Sequence, residues 1–194
     1  MKTWMKAVIR EKQELLDRLE KCAYLDMAEA AGHEMCLCLK RGNKLILAGN
    51  GGSAADAQHF AGEMAGRFIR ERVSLPAISL CTDPTVVTCI GNDYGYGQIF
   101  ARQIEGLGRN GDIFIPISTS GNSENLFYGI RQARDRQMQV VGLLGGDGGK
   151  IAPLCDYALR VPSDSTARIQ EIHTLTIHLF CELIEDELFG QEES

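Results

Sequence analysis

Five short apolar runs, separated by loops and helix-like stretches, constrain this chain more than any other feature of its sequence. They lie at 44–48, 76–80, 112–117, 139–144 and 157–161. Each is close to continuously apolar instead of alternating, so a strand built from it must be covered on both faces. Strands of that kind sit in parallel sheets, whose neighbours are joined by crossovers long enough to hold a helix. Helical periodicity fills the intervals at 54–67, 98–107 and 123–137. The expected fold is α/β: a parallel sheet with helices on both faces, a three-layer sandwich of flavodoxin-like or Rossmann-like type.

Both ends of the chain read as helix. Residues 3–39 place Val8, Leu15, Leu16 and Leu19 on one stripe, then Leu25, Ala28, Met35 and Leu39 on another, until Gly42-Asn43 stops the pattern. A long amphipathic helix at about 166–188 closes the chain, with Ile172, Leu175, Leu179, Leu183 and Leu188 along one side. No linker, repeat or low-complexity tract interrupts the 194 residues, so one domain is expected over 1–194. Residues 1–40 then form N-terminal helices for oligomer packing, and 41–194 the ligand-binding core.

Charge and cysteine usage narrow the function. A net charge of −6 argues against a nucleic-acid partner, which favours a basic stripe. No apolar run has the length a bilayer crossing needs, so no membrane partner is expected. The first residues run straight into Glu11, Lys12, Glu14 and Asp17 without an apolar signal segment. The seven cysteines form no Cys-x-x-Cys pair and read as reduced, buried thiols of a cytoplasmic protein.

In a parallel sheet, ligands collect beyond the carboxyl ends of the strands. Two loops there are unusual. The first, Gly49-Asn50-Gly51-Gly52-Ser53, can bring backbone amides close to an anion. Its glycine spacing does not match the dinucleotide fingerprint, and it has no Walker lysine. The second, Ser118-Thr119-Ser120-Gly121-Asn122-Ser123, sets four hydroxyls and a glycine between a strand and a helix. Such a neutral cradle suits a phosphate monoester that must come and go. The simpler alternative, an N-cap, needs only the one hydroxyl of Ser123.

Two helices add titratable groups. The helix at 54–67 offers Gln58, His59 and Glu63, the latter two one turn apart on one face. The last helix offers Gln170, His173 and His178. His173 is expected to be structural. His59, Glu63 and His178 form a nitrogen–oxygen donor set for zinc with an open position, or a general acid–base pair.

The runs 49–60, 118–123 and 167–173 together resemble the phosphoheptose isomerases, sedoheptulose 7-phosphate isomerases of the sugar isomerase (SIS) fold. The similarity extends from the N-terminal helices to Phe189. It implies a five-stranded parallel sheet, a homotetramer and conversion of sedoheptulose 7-phosphate to D-glycero-D-manno-heptose 7-phosphate. That reaction is the first step toward nucleotide-activated heptose for surface polysaccharide. Carried over by motif position, Ser118, Thr119, Ser120 and Ser123 hold the phosphate. Asn50, Gly51, Gly52 and Ser53, with Asn92 and Asp93, line the sugar. His59, Glu63, Gln170 and His178 bind one zinc per subunit. Glu63 and His178 double as the proton-transfer pair through an enediol, and Glu63 and Gln170 also face substrate.

Two positions depart from the family pattern. Pro116 replaces a small residue in the strand before the serine loop, and Ala167 stands where some members carry Asp. A rival resemblance is a tetrameric scaffold that associates with a replication initiator. That relative lacks acid–base residues at the positions of Glu63 and His178, which this chain keeps. A second rival is an isomerase or etherase of the same fold acting on an amino-sugar phosphate.

Overall fold

The computed structural model describes residues 3–190. Two helices, α1 (Thr3–Lys21) and α2 (Tyr24–Lys40), precede β1 (Leu45–Gly49), α3 (Gly52–Ala65), β2 (Ala77–Ser79) and α4 (Pro84–Tyr94). Then follow α5 (Ile99–Leu107), β3 (Ile113–Ser118), α6 (Glu124–Asp135), β4 (Gln139–Gly145), β5 (Tyr157–Val161) and α7 (Thr166–Phe189). All neighbouring strands pair in parallel, in the order β2-β1-β3-β4-β5.

The apolar runs are explained by two cores, one on each face of the sheet. Along β1, Leu45 and Leu47 enter one core while Ile46 and Ala48 enter the other. In β3, Ile113, Ile115 and Ile117 likewise oppose Phe114. The pleat sends successive side chains to opposite faces, so an apolar layer on both sides requires an apolar residue at every position. Leu15 of α1, Met35 of α2, Phe60 of α3 and Phe180 of α7 fill the first core. Phe100 and Ile104 of α5, with Leu126 and Ile130 of α6, fill the second.

Strand positions follow the apolar runs to within a residue or so. One helix was not read from the sequence. In α4 no residue is fully buried; Val87 and Ile90, one turn apart, pack part-exposed against the second core, a stripe too short to stand out. Its start is nonetheless encoded: Asp83 accepts from the amides of Thr85 (2.8 Å) and Val86 (3.2 Å), and Pro84 occupies the first turn.

Pro116 lies in a central strand, where proline is rare. The β1–β3 ladder runs through it, opposite Ala48. The β3–β4 register passes from Phe114↔Val140 to Ile117↔Leu143, skipping Ile115 and Pro116. The missing donor is thus accommodated on the β4 side, and the strand is not ended.

The apolar side of α7 divides in two. Ile172, Ile177, Phe180 and Ile184 are buried, whereas Leu175 and Leu179 are 39% and 38% exposed. Trp4 and Ile9 on α1, Leu37 on α2, and Ile69 and Val73 are also exposed. All seven cysteines are free. Cys36, Cys38 and Cys181 are buried, but Cys22 and Cys89 are exposed, which corrects the expectation of uniformly buried thiols. Burial pushes the Cys36 and Cys38 thiols up to about 12, so they stay protonated. Among the described residues no helix is long and apolar enough to cross a membrane.

Candidate active site

Strands β1 and β3 are neighbours, yet the chain leaves β1 toward β2 and leaves β3 toward β4 on the opposite side. This reversal opens a crevice at the carboxyl ends of β1 and β3. The glycine-rich loop and the serine loop flank it.

The serine loop is folded by its own hydroxyls. Ser118 Oγ accepts from the Gly121 amide (3.1 Å) and Ser120 Oγ from the Asn122 amide (3.2 Å). Gly121 has φ +62°, and a Cβ there would overlap the Gly148 carbonyl oxygen of the turn after β4. Ser123 occupies the N-cap position of α6 but makes no side-chain cap bond; its hydroxyl lies 3.3 Å from that of Ser118. The Leu126 amide is taken by Asn125 Oδ1 (2.9 Å), which leaves the amides of Glu124 and Asn125 and the helix dipole to face an anion, and the simple N-cap alternative is set aside. Thr119 and Ser120 face a cavity of about 420 Å³, shared with Gly145, Asp147, Asp164 and Thr166.

Three segments, the glycine-rich loop, the start of α6 and the turn at Tyr96, are tied together at Asn50. Asn50 and Asn125 exchange amide hydrogen bonds of 3.0 and 2.8 Å, and the Tyr96 hydroxyl donates to Asn50 Oδ1 at 2.8 Å. Oδ1 is then fully used, so Asn50 offers the crevice its remaining N–H. Asn125 and Tyr96 were not singled out from the sequence, where nothing marks a lone Asn or Tyr. Gly51, at φ +56°, turns the loop ahead of α3. Ser53 is buried and its amide bonds Asn50 O, so it belongs to the turn itself. Asn92 and Asp93 stand exposed on the last turn of α4, bonded to each other at 2.8 Å.

The titratable groups come from α3 and α7, which meet as a ladder. A Cβ on Gly52 would overlap the Gln170 amide; one turn on, Thr174 donates to Asp56 (3.0 Å); another turn on, His178 Nε2 lies 3.4 Å from His59 Nε2. His59 Nε2 also meets Glu63 Oε1 at 3.1 Å. The His59 and His178 rings meet edge-on at 5.1 Å, and Phe68 covers His178 at 5.2 Å. Asp56 is a further carboxylate of this ladder. Burial raises its pKa against the Thr174 hydrogen bond, and its Oδ2 has no partner among the described residues. His173 turns away: fully buried, its Nε2 donates to Leu144 O at 3.2 Å, as a structural histidine should.

The donors suit zinc in kind. Tetrahedral bonds of about 2.0–2.1 Å place donor atoms roughly 3.3 Å apart, close to the two separations around His59 Nε2. Among the described residues, however, no three His, Cys, Asp or Glu side chains surround a common point at which a metal could sit. The two pairs have spacings that suit a metal, but His59, Glu63 and His178 are not gathered round one point.

Fold and crevice define a class, the SIS domain, whose family model matches residues 9–145. Over 187 residues the chain is 49% identical to a phosphoheptose isomerase of Sulfurimonas denitrificans, covering 96% of this chain and 91% of that relative. A second, from Chromohalobacter salexigens, is 52% identical over 168 residues, 85% of each chain. The solved phosphoheptose isomerase of Neisseria gonorrhoeae superposes with a TM-score of 0.88 at 43% identity, over 94% of this chain and 97% of that one. This chain belongs to the phosphoheptose isomerase family of SIS domains. The scaffold alternative draws no support from these relatives.

Proposed function

We propose that the protein isomerises sedoheptulose 7-phosphate to D-glycero-D-manno-heptose 7-phosphate through an enediol. One observation carries the proposal: Glu63, His59 and His178 run together across α3 and α7, in a fold that also sets a hydroxyl-rich loop at the start of α6. Ser118, Thr119, Ser120 and Ser123, with the first amides of α6, take the phosphate. They carry no fixed positive charge, which favours release of product. Asn50, held by Tyr96 and Asn125, presents an N–H to a sugar hydroxyl, with Gly51, Gly52, Asn92 and Asp93 as further walls.

Glu63 and His178 are the proton-transfer pair. One removes a proton from C1 of the ketose, beside the carbonyl carbon; the other supplies a proton to the C2 oxygen, giving the enediol. Return of the first proton to C2, with loss of the O1 proton, yields the aldose. His59, Glu63, Gln170 and His178 would hold zinc, whose charge polarises a carbonyl oxygen. The exposed apolar residues of α1, α2 and α7 support a homotetramer, in which symmetric interfaces cover them. Acidic charge and free thiols support a cytoplasmic enzyme without nucleic-acid or membrane partners.

The test is turnover of purified protein against a panel of ketose phosphates, following the aldose by NMR. Conversion of the seven-carbon substrate ahead of shorter ones is expected. No turnover of any member, with zinc supplied, defeats the proposal.

A further inference from the structure

Arg72 and Glu185 form an ion pair whose side chains are only 1% and 2% exposed, with 3.0 Å between Nε and Oε1. Charges this deep persist only where hydrogen bonds offset the loss of water. The two Glu185 oxygens accept from the backbone amides of Phe68 (2.9 Å), Ile69 (2.9 Å) and Arg70 (2.8 Å). The Arg72 guanidinium donates to the carbonyls of Glu63 (2.7 Å), Met64 (2.8 Å), Gly66 (3.1 Å) and Val73 (3.0 Å). Helix α3 ends at Ala65, so Glu63 and Met64 are among the carbonyls a helix C-terminus leaves without partners. Arg72 therefore caps α3 from beyond its end, and Glu185 grips both the cap and the chain that leads to it.

What this network holds is the proposed chemistry. The capped turn carries Glu63. The gripped chain carries Phe68, whose ring lies against His178. Glu185 itself lies on α7, about two turns beyond His178. We propose that Arg72 and Glu185 are positioning residues for the isomerisation, fixing Glu63 at the end of α3 in register with His178 on α7. The proposal rests on Glu63 and His178 being the proton-transfer pair. A buried ion pair is a poor source of stability compared with apolar residues of similar volume. A planar fork satisfying several carbonyls at once is a good source of fixed geometry.

The experiment uses Arg72→Lys and Glu185→Gln in the full-length protein. Lysine keeps the charge but cannot span several carbonyls; glutamine keeps the shape but turns a donor toward the amides. Both variants are expected to remain folded at the assay temperature by circular dichroism. Their kcat should fall about ten- to hundredfold, the range for slight misplacement of reacting groups. KM for the sugar phosphate should stay within about twofold, because the serine loop is held by other bonds. Phe68→Leu, which disturbs no charge, should lower kcat by a smaller factor. In Glu185→Gln the amides of Phe68, Ile69 and Arg70 should exchange faster while those of β3 keep their protection.

Wild-type kcat in a folded Arg72→Lys protein overturns the proposal. So does a loss of activity that merely tracks the folded fraction, because that is a stability role alone. If the wild-type protein turns over no ketose phosphate, the functional proposal has failed separately. The His178 ring resonances of Glu185→Gln then decide the physical link: a shift supports it, and unchanged resonances overturn it.

Discussion

Lowering the pH from 7 to 5 should weaken the fold by about 2 kcal/mol through one residue, His173. Its ring is fully buried, Nε2 donates to Leu144 O, and Nδ1 has no partner among the described residues. Burial pushes its pKa down to about 4, against the opposing effect of the Leu144 hydrogen bond. In the unfolded chain an exposed histidine titrates near 6.5. The unfolded state therefore binds the proton first, and stability is complete above pH 6.5 and drains as pH falls toward 4. From 6.5 to 5 is about 1.5 units, and each unit is worth about 1.4 kcal/mol, which gives the 2 kcal/mol. That is a large share of a typical total of about 5–15 kcal/mol. Asp56, whose pKa burial raises, is present in wild type and variant alike and cancels in the comparison below. Urea unfolding at the two pH values measures it, with His173→Gln as the control that keeps an N–H donor. The variant should lose about 2 kcal/mol less than wild type over the same interval. An identical pH dependence in wild type and variant would refute the assignment to His173.

Other expectations follow from the crevice and its surroundings. Glu63→Gln should leave the fold intact and cut kcat roughly a hundredfold, as loss of a general base does; near-normal turnover would remove Glu63 from the mechanism. Gly121→Ala meets both a positive φ and the Gly148 carbonyl, so KM for the phosphorylated substrate should rise by about tenfold or more; an unchanged KM would dissociate the serine loop from phosphate. Elemental analysis after zinc reconstitution should find about one zinc per chain, and markedly less in His59→Ala; equal content in both would remove His59 from the metal set. Light scattering should return about four times the 21.3 kDa chain mass, and Leu179→Glu should lower it; a monomeric wild type would leave the exposed apolar residues without the proposed cover.

What was legible in the sequence divides along physical lines. Continuous apolar runs mark strands buried on both faces, as β1, β3 and β4 are, which is why the sheet type could be read; the edge strands β2 and β5 are only partly buried but keep an apolar run. The serine and glycine loops showed through because their composition exceeds what a turn needs. Helix α4 escaped because only Val87 and Ile90 pack against the core, and only in part, which leaves too short a periodic trace to read. Asn125 and Tyr96 escaped because their role exists only where three distant segments meet at Asn50. Arg72 and Glu185 are separated by more than a hundred residues, and each alone reads as an ordinary surface charge. Asp56, three residues before His59 within a legible motif, acquires its buried character only from α7 packing over it.

The ladder between α3 and α7 has a consequence for how the molecule is made. Synthesis delivers the chain from its N-terminus, and its first segments can begin folding before the last are attached. Helix α3, with His59 and Glu63, emerges early, while α7, with Gln170 and His178, is the last element among the described residues. Until α7 docks, Phe60 lacks Phe180 against its ring and Gly52 faces no Gln170. A nascent chain paused just before α7 would therefore carry the whole serine loop yet half of the proposed acid–base pair. On the proposed assignment, catalytic competence waits for α7.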